Sequence, residues 1–118
     1  MTSADQPHFA VLQPDGQITY GYRLDGDSTY RAVRAYISGP ASQGTGRLRA
    51  WYSDSFTADM PPNPLADRVL SAIGYHHPSG WRGTVALSME EDNSGECPPL
   101  TVEVQATLDE LAQHPAGG

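Results

Sequence analysis

The chain contains no lysine. Its seven basic residues are all arginine, and fourteen acids outweigh them to give a formal charge of −7. Such a balance argues against a general nucleic-acid binder, because like charge repels the phosphate backbone. A single cysteine, Cys97, rules out an intrachain disulfide and with it the small secreted scaffold held by several. Cys97 sits in GECPP with no basic neighbour to favour a thiolate, so it reads as an ordinary loop thiol. No apolar run approaches the roughly 18 residues of a membrane span. The opening MTSADQPH has neither the basic segment nor the apolar segment of a secretory signal. A cytoplasmic protein without membrane contact is the expectation.

Recognisable catalytic motifs are also missing. Serines 53, 55, 71, 88 and 94 lack a G-x-S-x-G setting. SGPASQGTGR has no Lys and does not match a phosphate-binding loop, and Gly44-Thr45-Gly46 lacks the third glycine of a dinucleotide fingerprint. Neither an enzyme nor a cofactor is therefore expected.

What is present is a chain of 118 residues, enough for one domain with a modest core. Twelve Gly and ten Pro call for short elements and many turns. A single domain over residues 8–113 is expected, with a flexible leader at 1–7 and a flexible tail at 114–118.

The best-marked stretch is Met60–Gly74, MPPNPLADRVLSAIG. Asn63 suits an N-cap and Pro64 the first helical position, where no N–H is needed. Leu65, Val69 and Ile73 recur at helical spacing beside Ala66 and Leu70, and Gly74 suits the C′ position. His8–Gln13 and Ile18–Leu24 flank a Pro-Asp-Gly turn and predict a hairpin. Thr29–Ser38 reads as a helix with Tyr30, Val33 and Ile37 as its apolar stripe, stopped by Gly39-Pro40, with a strand as the competing reading because Val33, Tyr36 and Ile37 lower helix propensity. GPASQGTG (39–46) reads as a linker. Arg47–Tyr52 and Arg82–Met89 read as strands, and Leu100–Val104 as a last strand. Thr107 and Glu110 form a capping box that would open a short C-terminal helix. The expected fold is α+β: a single small antiparallel sheet of about five strands, with two or three helices packed on one face, in the order β-β-α-β-α-β-β-α. Its strands alternate apolar and polar residues, so one sheet face or an edge would be left to a partner, and a homodimer is one such outcome.

Arg47, Arg49 and Trp51 share one face of their strand, and Arg and aromatic residues dominate interface hot spots. Tyr75, His76 and Trp81 in the following loop extend the candidate surface. A second reading is a metal-binding module or metal-assisted hydrolase built on His76 and His77 with nearby acids. Adjacent histidines point apart in extended chain, and the other donors, His8, His114, Asp54, Asp59, Glu90 and Glu91, are scattered, so no metal ligand set is assigned. Glu90-Glu91-Asp92 reads as a solvated acidic loop. A third reading, nucleic-acid binding through Arg31, Arg34, Arg47 and Arg49, ranks last because the whole-chain charge opposes it.

The segments LQPDG (12–16), MPPNPLADRVL (60–70), RGTVALS (82–88) and DNSGECPPLT (92–101) resemble those of a family of short uncharacterised proteins encoded by actinobacterial phages, plasmids and related mobile elements. The shared features are a leading strand with a DG turn, an N-P-L-A helix start, a G-T-V strand and a glycine-containing turn, over roughly residues 8–112. The central loop (39–46) and the HHPSGW stretch depart from that pattern. The resemblance implies no activity and assigns no catalytic residue. It implies an accessory product of a mobile element. With the charge and the Arg/aromatic set, this gives the functional expectation: a small acidic non-enzymatic protein that binds an unknown protein partner, as a phage or plasmid accessory or counter-defence factor.

Overall fold

A computed structural model describes residues 6–22, 28–37, 39–44, 48–53, 60–72, 80–91 and 97–113. Within them lie five strands and three helices: β1 (Phe9–Leu12), β2 (Ile18–Gly21), α1 (Thr29–Val33), β3 (Pro40–Gly44), β4 (Leu48–Ser53), α2 (Pro64–Ala72), β5 (Val85–Met89) and α3 (Val102–Gln113). The strands form one antiparallel sheet in the order β2-β1-β5-β4-β3.

The hairpin forms where the Pro-Asp-Gly turn predicts it. The Gly16 N–H donates to Gln13 O at 2.9 Å, and Gln13 N–H donates to Gln17 O at 2.9 Å. Gly16 takes φ 93°, the left-handed conformation that closes such a turn. Two local hairpins, β1–β2 and β3–β4, are joined by β5, which pairs with β1 on one side and β4 on the other.

The α+β class, the antiparallel sheet of five strands and the three helices agree with expectation. Two segments exchange roles. Residues 40–44 form β3 rather than a linker, in register with β4 from Pro40↔Ser53 to Gly44↔Arg49. Nothing in PASQG carries strand propensity; pairing with β4 makes it a strand, and Pro40 is tolerated at the first residue of an edge. Leu100–Val104 is not a strand. Thr101 Oγ1 accepts from Val104 N–H at 3.1 Å and starts α3. Val104, Leu108 and Leu111 then form its inward stripe, and Val102 is left 68% exposed. Thr107 lies inside the helix, where its hydroxyl donates to Glu103 O at 3.0 Å. The order is therefore β-β-α-β-β-α-β-α.

Alternate residues of a strand project to opposite faces, and the core divides accordingly. On one face Ala10, Leu12, Ala50, Val85 and Leu87 pack under Leu65, Ala66, Val69 and Leu70 of α2 and Leu108 of α3, with Trp81 and Leu100. On the other, Phe9, Val11, Trp51 and Ala86 pack under Val33, Ile37 and Cys97. Two helices thus share one face and the α1 segment covers the other. That is why the central strands β1 and β5 are buried on both sides instead of alternating. The helix of α1 ends at Val33, earlier than expected, and turns carry the chain on to Ile37.

Candidate functional site

β4 sets Arg49 and Trp51 on one side and Leu48, Ala50 and Tyr52 on the other, as alternation requires. The side bearing Arg49 and Trp51 is the one that α1 covers. Trp51 is only 5% exposed, and its indole N–H donates to Ser88 Oγ at 2.9 Å. Ser88 Oγ in turn has Met89 O at 3.1 Å and the buried Cys97 Sγ at 3.6 Å within donor reach. Cys97 lies between β5 and α3, outside both, and its thiol is buried in the core rather than solvated. Arg49 is half-buried. Its Nε donates to Glu90 Oε1 at 2.8 Å and its Nη1 to Ser42 Oγ at 2.8 Å. Glu90, read as part of a solvated acidic loop, is therefore an ion-pair partner, and Ser42 of β3 joins the pair.

Trp81 is 1% exposed and meets Tyr52 edge-on at 5.5 Å. Its backbone N–H donates to Asp67 Oδ1 at 2.7 Å. Both tryptophans of the candidate surface thus belong to the core, and burial leaves them little area to offer a partner. Arg47, Tyr75, His76 and His77 lie outside the described residues, as do Asp54, Asp59 and His114. Among the described residues no three His, Cys, Asp or Glu side chains gather as a metal would require.

An exposed aromatic surface lies elsewhere, on the outer side of α1 and the turns that follow it. Ser28 caps this helix by accepting from Arg31 N–H at 3.1 Å. The cap orients a turn whose inward residues are Thr29 and Val33. Tyr30 and Tyr36 fall to either side, 47% and 42% exposed. Each ring rests on a core aromatic: Tyr30 lies 6.3 Å from Trp51, and Tyr36 meets Phe9 edge-on at 5.8 Å. Arg31 and Arg34 are exposed beside them. Sequence reading placed Tyr30 in the buried stripe because its spacing to Val33 and Ile37 fits one. Within α1 it is Thr29 and Val33 that turn inward, which leaves Tyr30 on the outside. The usable signal is two arginines bracketed by two tyrosines in YRAVRAY (30–36).

A second feature is a shallow depression of about 410 Å³ between the Pro14–Gly16 turn, the start of α2 and Ala112 of α3. Asp15 and Arg68 face it, but Asp15 accepts from Gln17 N–H and Arg68 Nη2 donates to Leu111 O at 3.3 Å. Asp15 serves its own turn, and Arg68 of α2 holds a carbonyl in the last turn of α3. Nearby, Tyr20 OH donates to Asp109 Oδ1 at 2.7 Å. Burial pushes the Tyr20 phenol well above its ordinary range, and the hydrogen bond to Asp109 and that carboxylate's charge push it further.

Compared with known proteins, the chain matches no protein-family model, no curated protein and no solved structure. No helix among the described residues is long and apolar enough to cross a membrane.

Proposed function

We propose that the protein is a small acidic binding protein that works through protein–protein contact, with the outer side of α1 and the turns after it, residues 30–36, as its contact surface. One observation carries this reading: Tyr30 and Tyr36 are half-exposed rings already seated on Trp51 and Phe9. Rings held in place lose little freedom on binding, and Tyr with Arg is the composition of interface hot spots. Arg31 and Arg34 supply that second component. The buried Arg49–Trp51 side serves the surface from beneath, since Trp51 supports Tyr30. The resemblance of its segments to mobile-element proteins supports a host protein as the partner and an accessory or counter-defence role.

Affinity capture from host lysate tests this with three proteins: the natural chain, a Tyr30→Ala/Tyr36→Ala variant and Arg34→Ala. The natural chain should retain one stoichiometric partner. The double tyrosine variant should weaken that retention by about tenfold or more. Undiminished capture by a folded double variant would remove α1 as the contact surface.

A further inference from the structure

The sheet has two edges, and they differ. β3 begins at Pro40, which has no N–H to offer, and ends at Gly44 beside the Arg49–Glu90 ion pair. Proline and charge are the usual means of closing an edge to other strands. β2 has neither. Gln17–Tyr22, QITYGY, holds no Asp, Glu, Lys or Arg on a chain whose formal charge is −7.

The hydrogen-bond phase of β2 follows from the turn. Gln13 N–H donates to Gln17 O, so Gln13 and Gln17 are a hydrogen-bonded pair, and alternation makes Val11↔Thr19 and Phe9↔Gly21 hydrogen-bonded pairs too. Ile18 and Tyr20 therefore direct their N–H and C=O groups away from β1. Among the described residues no strand lies beyond β2 to receive them. Tyr20 is held in this pose by Asp109, and Thr19 in the strand and Tyr22 just beyond it present exposed side chains.

We infer that β2 is a self-association edge, where a second copy of this chain pairs antiparallel, β2 on β2, to run the two sheets into one. The occupant is a second copy because the strand is uncharged: two-fold pairing sets no like charges opposite one another on this stretch, despite the net charge of the molecule. The assembly closes at two chains because β3 is blunted. Were both edges open, β2 of one copy would pair with β3 of the next, and the contact would propagate as a filament.

Light scattering on the intact chain should give twice its 12.7 kDa mass as concentration rises. In the same samples, hydrogen exchange at the Ile18 and Tyr20 amides should slow as the mass doubles, and this readout needs no variant. Thr19→Lys, which brings two charges together across the paired strands, should return the mass to one chain while the circular dichroism stays native. Thr19→Ser should still double. A single-chain mass at every concentration overturns the inference. So does a doubled mass with Ile18 and Tyr20 amides exchanging as fast as in dilute protein, which would place the contact elsewhere. A ladder of higher masses overturns the two-chain closure.

Discussion

Asn63 does more at the residue scale than any other polar side chain described. It is fully buried. Its Oδ1 accepts from Ala66 N–H at 3.0 Å, and its Nδ2 donates to Leu12 O at 2.9 Å and to Gly83 O at 2.7 Å. One amide thus caps α2 and fastens it to the end of β1 and the approach to β5. Asn63→Ala should cost about 3 kcal/mol or more, since it removes a cap and two buried hydrogen bonds. Asn63→Asp separates the two roles: it keeps the cap acceptor but turns a carboxylate toward two carbonyl oxygens. Urea unfolding should show the Asp variant strongly destabilised too; a near-native midpoint would reduce Asn63 to a cap. The cap was legible in Asn-Pro-Leu-Ala, because capping is a local rule. The fastening was not, because Leu12 and Gly83 are distant in sequence.

Tyr20 provides a pH test at the same scale. Its phenol is raised in the folded protein, so the folded state holds that proton more tightly than the unfolded chain does. The stabilisation is complete below the ordinary tyrosine value of about 10 and is lost as pH rises above it. Melting temperature should fall in alkaline buffer, and Tyr20→Phe should flatten that part of the fall. Identical slopes for the two proteins would contradict the coupling.

Among the elements, α3 shows why an alternating run of five residues is weak evidence. Leu100, Val102 and Val104 fit one face of a strand, but Val104, Leu108 and Leu111 fit a helix equally well. Thr101 at the cap decides between them. Thr101→Ala should cost about 1 kcal/mol. Thr107→Ala, inside the helix, should be neutral or gain a few tenths, since Ala is the better helix former. The capping-box reading predicts the reverse order, and denaturant midpoints of the two variants tell them apart. β3 was illegible for a different reason. PASQG has the composition of a loop, and only the register with β4 makes it a strand. The Arg/Trp face of β4 was read correctly as a face, but a sequence does not say what covers a face. The α1 segment does so with Val33 and Ile37, and the tyrosines beside them become the exposed aromatics.

For the whole molecule, charge and connectivity set the terms. A formal −7 over a chain with a Cα radius of gyration of 13.6 Å implies self-repulsion that salt screens. The melting temperature should rise between low and moderate sodium chloride. A fall would mean that attractive pairs such as Arg49–Glu90 outweigh the repulsion. The position of β5 has a consequence in time. The sheet's middle strand is its last in sequence, at Val85–Met89. While the chain is being synthesised, β1–β2 and β3–β4 are separate ladders with no common member, and isolated two-stranded ladders are marginal in water. The nascent chain therefore gains its cooperative fold late, when β5 slots between strands that emerged long before it, and until then the apolar sides of both hairpins remain open to chaperones.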